Sequence, residues 1–315
     1  SQIVGTVTAA TAEDAEVAIL AAYNAFPSWS KVDPIVRARY LVRVAAILRR
    51  RIYEFSAWMV YEVSKSWIEA YADTAEAIDF LEFYAREMVR LANGNPTTPF
   101  VGEENEARFM PMGVVAVISP WNFPLAIMAG MTMSAVVTGN CVITKPAEQS
   151  PILAAKFYEV LEEARFPAGV VNLLQGYGEV VGETLTGHPL TRVISFTGSR
   201  AVGIHINKKA AEVVPGQKWL KRSILEMGGK DCIVVDDDAD IDAAADGIAA
   251  AAFSFQGQKC SACSRVVALE SIHDVLVSKI IEKAKLLVAG DPTQGNFSTT
   301  AVIDADAVER IEAYI

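Results

Sequence analysis

From Phe109 to Thr144 the chain carries no charged side chain, and this stretch limits what the whole can fold into. An uncharged run of that length suits either a bilayer or a closed protein core. Pro111, Gly113, Pro120, Asn122, Pro124, Gly139 and Asn140 interrupt it, and such residues cut a continuous apolar helix into pieces. What remains reads as strand, helix, strand: a buried βαβ unit rather than a membrane span.

The same alternation continues in both directions. Short apolar runs predict strands over 114–118, 141–145, 170–174, 192–196 and 220–225, with helices over 124–138, 150–164, 178–186 and 199–213 between them. Strands separated by helices of this length imply crossovers and a largely parallel sheet covered on both faces, a dinucleotide-binding type of fold. A second run predicts a second α/β domain, with strand 232–235, helix 240–255, strand 265–269 and helix 271–287 following the solvated loop Asp236-Asp237-Asp238. Ahead of the sheet, Thr11 opens a helix with Glu13 and Asp14 in its first turn, running to about Phe26-Pro27. A longer helix begins near Pro34, where Leu41, Ala45, Leu48, Ile52, Phe55, Met59 and Val63 form one apolar stripe. A third carries Ile78, Leu81, Ala85, Met88 and Leu91, and Asn93-Gly94-Asn95-Pro96 leads into an extended excursion over 96–111.

Composition narrows the function classes. At 315 residues and 52% hydrophobic, the chain holds one or two cores. A net charge of −10 argues against nucleic acid as a partner, because phosphate binding needs clustered cations, and Arg49-Arg50-Arg51 reads as one solvated helix face. Four cysteines are too few for a disulfide scaffold, so a reducing, cytoplasmic setting is expected. Ser1-Gln2-Ile3-Val4-Gly5 has no basic segment leading into an apolar run, so no signal peptide is expected there.

Six short stretches carry candidate chemistry. Phe255-Gln256-Gly257-Gln258-Lys259-Cys260-Ser261-Ala262-Cys263 is a glycine-bearing turn between apolar elements; a thiol beside Lys259 on such a turn suits a nucleophile. Cys260 and Cys263 also spell Cys-x-x-Cys, but His188, His205 and His273 lack the spacing to complete a zinc site. Ser119-Pro120-Trp121-Asn122-Phe123-Pro124 lies where a strand meets a helix. Asn122 there is either an oxyanion donor or a turn residue. Lys145-Pro146-Ala147-Glu148 ends a strand with a cation and a carboxylate, either a pair for ribose hydroxyls or ordinary surface residues. Gly176-Tyr177-Gly178 with Gly182 misses the usual phosphate-binding glycine spacing by one residue, and Phe196-Thr197-Gly198-Ser199 is a second turn whose amides can face a pyrophosphate or simply cap a helix. Leu225-Glu226-Met227-Gly228-Gly229-Lys230 sets a carboxylate before two glycines that permit close backbone approach. Glu226 is a general base if burial raises its pKa, and a surface residue otherwise.

In that order, Pro-Trp-Asn-Phe-Pro, Lys-Pro-Ala-Glu, Phe-Thr-Gly-Ser, Glu-Met-Gly-Gly-Lys and Gly-Gln-Lys-Cys resemble the aldehyde dehydrogenase superfamily, over essentially the whole chain. Residues 226–231 and 255–262 most resemble its L-glutamate γ-semialdehyde (1-pyrroline-5-carboxylate) branch. The resemblance implies an α/β fold with a Rossmann-like NAD-binding domain (1–92 and 112–228), part of an oligomerisation hairpin (93–111) and a catalytic domain (229–315) incomplete at its C-terminus. It implies Cys260 as nucleophile, Glu226 as base and Asn122 with the Cys260 N–H as oxyanion donors. Ser119, Trp121, Lys145, Glu148, Gly178 and Ser199 would contact the cofactor, and Phe123 and Ser261 the substrate. Glu148 would repel a 2′-phosphate, so NAD is expected over NADP. The expected partners are a small aldehyde and, at full length, further copies of the chain, with no metal, nucleic acid or membrane.

Family chains continue into a Glu-x-Phe-Gly-Pro motif and an aldehyde-anchoring loop absent here, so truncation is expected, with uncovered sheet edges and apolar surface. Cys263 is either a redox neighbour of Cys260 or an inert small residue. Competing expectations are a dehydrogenase of another semialdehyde such as succinate semialdehyde, a thiol hydrolase or acyl-transferase on the same fold, and a chain that binds NAD without turnover.

Overall fold

The structure is a computed structural model and describes residues 3–315; Ser1 and Gln2, which begin the stretch read for a leader, lie outside it. The chain divides into two compact units. One comprises the chain up to Phe55 with Asp73–Glu226, the other Ser56–Ala72 with Met227–Ile315.

The first unit is built on five parallel strands, β1 (Val114–Ile118), β2 (Cys141–Lys145), β3 (Val171–Leu173), β4 (Thr191–Thr197) and β5 (Arg222–Glu226), in the order β3-β2-β1-β4-β5. Apolar on both faces, β2 is buried along its whole length, as a central parallel strand must be. At the edge, β5 alternates exposed and half-buried residues. Helices α5 (Ala126–Val137) and α6 (Pro151–Glu163) carry the chain from β1 through β2 to β3. Helix α8 (Arg200–Ala211) then joins β4 to β5 on the other side of β1. Right-handed crossovers running in opposite directions put these helices on opposite faces of the sheet.

Helix α5 belongs to the uncharged stretch and is mostly buried, so its terminal N–H and C=O groups need partners from elsewhere. At its C-terminal end the Trp29 indole donates to Val136 O at 3.0 Å, Arg37 Nε to Val137 O at 2.8 Å, and Asn140 Nδ2 to Ala135 O at 3.1 Å. Asn140 Oδ1 also accepts from the Met112 and Gly113 N–H groups at 2.7 and 3.0 Å, tying the end of α5 to the start of β1. With a further bond from Nδ2 to Thr138 Oγ1 at 3.0 Å, an asparagine read from sequence only as an interruption is thus a four-way connector.

Several helical stretches differ from the sequence expectation. Helix α1 (Ala12–Trp29) starts with the expected Thr11–Asp14 capping box but runs through Pro27 to Trp29, whose buried, anchored indole outweighs the lost backbone bond. The stripe from Leu41 to Val63 belongs to two helices, α2 (Pro34–Arg50) and α3 (Ile52–Val63), because Arg51 leaves helical geometry at φ −103°, ψ 17°. There Arg51 bonds Glu54 and Glu159, which hold its guanidinium above its usual pKa. Arg49 and Arg50 pair with Glu82 and Glu163, so carboxylates match each charge of the basic run. Helix α4 (Trp67–Leu91) follows. Among the excursion residues, Asn95 and Ala107 form an antiparallel bridge. Gly178–Gly182 is a π-turn, continued by the short helix α7 (Glu183–Gly187) rather than by one regular helix.

In the second unit, β6 (Asp231–Val235) and β7 (Cys263–Ala268) pair in parallel, with α9 (Ile241–Phe253) as their crossover and α10 (Glu270–Lys285) after them. Val235, Ala245, Ile248 and Leu276 form the core. The two strands leave Val234 and Val267 72% and 55% exposed, an uncovered apolar face. Helix α11 (Ala305–Tyr314) follows.

Replacing Asn140 by Ala should destabilise the first unit by about 2 kcal/mol, because the buried Gly113 N–H and the half-buried Met112 N–H lose their acceptor. A lower urea midpoint than wild type, monitored by tryptophan fluorescence, is the expected result.

Candidate active site

Parallel register aligns the carboxyl ends of the central strands: Ile118 lies opposite Lys145 and Phe196, and Thr197 opposite Glu226. The turns after β1, β2, β4 and β5 therefore leave one edge of the sheet, bringing Ser119, Lys145, Ser199 and Glu226 to the same side. Strand order reverses between β1 and β4, and a crevice for ligands opens at such a switch point.

A pair read together, Lys145 and Glu148, meets a third residue read apart from it, Gly178. Lys145, 3% exposed in its side chain, donates to Glu148 Oε1 at 2.9 Å and to Pro146 O at 2.9 Å. The same Glu148 oxygen accepts from the Gly178 N–H at 2.8 Å. One carboxylate thus joins the end of β2 to the start of the π-turn. Lys145 brings three donors, and Glu148 a second oxygen, the chemistry needed to grip vicinal hydroxyls. Ser119 adds a buried hydroxyl with no hydrogen-bond partner. Ser199 caps α8, accepting from the Val202 N–H at 3.4 Å. This donor set fits a dinucleotide.

Asn122 lies half-buried between Trp121 and Phe123, and its Oδ1 accepts from the Phe123 N–H at 3.1 Å. With the carbonyl edge turned to backbone, the NH₂ edge is the donor side. The turn ends at α5, where N-cap Leu125 offers no side-chain bond. Asp73 fills that role from α4: 1% exposed, its Oδ1 accepts from the Ala126 N–H at 2.7 Å. Sequence reading missed Asp73. The available signal was a charge on an apolar stripe, between buried Ala70 and buried Ala77. Glu226 ends β5 exposed, so burial does not mark it as a base, and its carbonyl accepts from the Gly198 N–H at 3.0 Å.

Within the second unit, α9 stops at Phe253, and three successive residues, Phe255, Gln256 and Gly257, take left-handed backbone angles (φ 50°, 57° and 68°). For the two non-glycine residues this costs roughly 1–2 kcal/mol each. The chain then turns through half-buried Cys260 and exposed Ser261, and Cys263 opens β7 opposite Asp231. Lys259, read as the thiol's cationic neighbour, is instead paired with Glu69 at 2.9 Å, both side chains largely buried, so a carboxylate matches its charge. Segment 64–69, which no sequence motif marks, underlies this turn: Lys65 faces the Phe255 ring, and Thr300 Oγ1 donates to Ser64 O. Gly229 also closes on it, since a Cβ there would lie 3.1 Å from the Cys260 carbonyl oxygen and 2.8 Å from Asp231 Oδ1. Cys141, in contrast, is a core thiol that burial pushes up to about 12. Among the described residues no group of three or more side chains has metal-ligating character, and no helix is long and apolar enough to cross a membrane.

The profile of the aldehyde dehydrogenase family matches residues 1–315. The chain belongs to this family. It is 54% identical over its whole length to the 1-pyrroline-5-carboxylate dehydrogenase of Geobacillus kaustophilus and 55% identical to that of Anoxybacillus flavithermus. In each case the chain spans 61% of the relative's length. Among solved structures it is similar to the Thermus 1-pyrroline-5-carboxylate dehydrogenase with bound NAD (TM-score 0.95, 44% identity, covering 98% of this chain and 60% of that one). It is equally similar to proline utilization A from Bdellovibrio bacteriovorus, inactivated by N-propargylglycine (TM-score 0.95, 44% identity, covering 99% of this chain and 33% of that one). Over the part that it covers, the chain has the aldehyde dehydrogenase fold of these neighbours.

Because only Gly229 of the glycine pair has backbone in the way of a side chain, G229A should destabilise the second unit by about 1–3 kcal/mol. G228A should cost clearly less, and the urea midpoints of the two variants check the order.

Proposed function

We propose that the protein containing this chain oxidises L-glutamate γ-semialdehyde to L-glutamate with NAD as cofactor, as a 1-pyrroline-5-carboxylate dehydrogenase of proline degradation. The observation that carries the reading is identity of 54% along the entire chain to a curated relative of that name. The first unit is then the NAD-binding domain and the second the start of the catalytic domain. Residues 93–111 are part of an oligomerisation hairpin, a reading that the antiparallel Asn95–Ala107 bridge supports. Four free cysteines suit a reducing, cytoplasmic setting.

In this reading Lys145 and Glu148 hold the adenosine ribose. Gly178, Ser119 and Ser199 line the phosphate path, and Trp121 the channel beyond it. When bound, the dinucleotide supplies a hydride acceptor. The chain's own work begins with Cys260, whose thiolate attacks the aldehyde carbon and leaves an oxyanion on a tetrahedral thiohemiacetal. The Asn122 amide and the Cys260 N–H donate to that oxygen, and loss of one such donor typically costs about 10²–10³ in rate. Once the adduct has been oxidised to a thioester, Glu226 takes a proton from water, the resulting hydroxide adds to the carbonyl, and Cys260 leaves as thiolate. Ser261, beside the nucleophile, hydrogen-bonds the substrate's α-carboxylate, and Phe123 packs against its chain.

Full-length protein should generate NADH fluorescence faster with glutamate γ-semialdehyde than with succinate semialdehyde or a simple aliphatic aldehyde. C260A should bind NAD in calorimetry yet give no NADH. A preference for the aliphatic aldehyde would remove the branch assignment, and thioester turnover without NADH would make the enzyme an acyl-transferase. E148Q keeps an acceptor for Gly178 but loses the charge, so the NADP-to-NAD ratio of kcat/KM should rise about tenfold; an unchanged ratio would release Glu148 from cofactor choice.

A further inference from the structure

Phe255 and Gln256 occupy backbone conformations that neither residue favours, and such conformations persist only where the surroundings impose them. Within the second unit those surroundings come from the junction of α3 and α4. Lys65 there is fully buried at 0% exposure, and its Nζ lies 4.8 Å from the centroid of the Phe255 ring. Phe255 is itself 2% exposed. An ammonium withdrawn from water gains from an aromatic face what a methylene tip would not.

The residue before Lys65 is also left-handed: Ser64 has φ 56°, and its carbonyl accepts from Thr300 Oγ1. With the Gln256 amide oxygen facing Thr300, it accepts from the Thr300 N–H at 2.7 Å. Gln258 Oε1 accepts from the Ile303 N–H at 3.1 Å. The turn leading to Cys260 is therefore fastened on one side by 300–303 and on the other by the ring seated against Lys65. The hydrogen bonds fix Gln256 and Gln258, whereas the ring contact acts on Phe255, where the left-handed run begins.

We propose that Lys65 is a positioning residue for the nucleophile: its buried ammonium, set against the Phe255 ring, holds the left-handed Phe255-Gln256-Gly257 turn that presents Cys260. The proposal rests on the reading of Cys260 as nucleophile, which C260A tests separately. In full-length enzyme, K65M should lower both kcat and the rate of Cys260 alkylation by iodoacetamide by about tenfold or more, since displacements near 1 Å have effects of that size or larger. KM for NAD should stay within about twofold. K65R, which restores a cation at the ring, should recover both rates to within about threefold. F255L should reproduce the loss, and K65M added to F255L should cost little more, the signature of one coupled pair.

Wild-type kcat and alkylation in K65M would overturn the proposal, as would a K65R as impaired as K65M with both melting early, which would make Lys65 a packing residue. If K65M does not fold, F255L decides, with wild-type rates refuting the clamp. Alkylation needs neither substrate nor cofactor, so it reports on Lys65 even if C260A keeps turnover and the nucleophile assignment fails.

Discussion

A helix buried at both ends has to import its hydrogen-bond partners, and α5 shows what that demand organises. Its own stretch has no charge to offer. Asp73 of α4 therefore serves its N-terminus, and Trp29, Arg37 and Asn140 serve its C-terminus. Those contacts bind α1, α2 and α4 to the β1–α5–β2 unit, because an unmet buried backbone group costs about 1–3 kcal/mol. They also set where α5 begins, and with it the turn that carries Asn122. Packing and site geometry thus share one cause in this unit.

Much of the first unit is legible from local pattern. The limits of β1 and β2 agree with the apolar runs 114–118 and 141–145, since central parallel strands are apolar on both faces and end where punctuating residues appear. Boundaries decided by distant partners are not legible. Pro27 sits inside α1 because the Trp29 indole finds Val136 O across 107 residues of sequence, and Arg51 at the α2–α3 break reaches Glu159 across 108 residues as well as its neighbour Glu54. No window of neighbouring residues contains that information.

The candidate site divides in the same way. Motif spacing marked Lys145 with Glu148 as a pair and Gly178 apart from them, yet only the folded chain reveals that a single oxygen of Glu148 serves both of the others. In the second unit the reactive-looking turn was visible from Gly257 and Cys260, but its supports were not: Lys65, Glu69 and Thr300 carry no motif. The cationic neighbour inferred for the thiol from Lys259 is matched by Glu69 instead. Chemistry-bearing residues advertise themselves by type and spacing, whereas residues that hold them in place look ordinary until the chain is folded.

The shared oxygen of Glu148 has a consequence for redesign. Engineers who wish to change a dehydrogenase's coenzyme commonly begin by removing the acid at the adenosine end. On the proposed reading that acid is Glu148, which is also the anchor of the Gly178 amide, so a small neutral replacement would both make room for a phosphate and loosen the chain that follows. Selectivity and local order would then be wired to one atom. A successful exchange would first have to give the Gly178 amide another acceptor, and the number of compensating changes, rather than the size of the new coenzyme, would set the difficulty of the exercise.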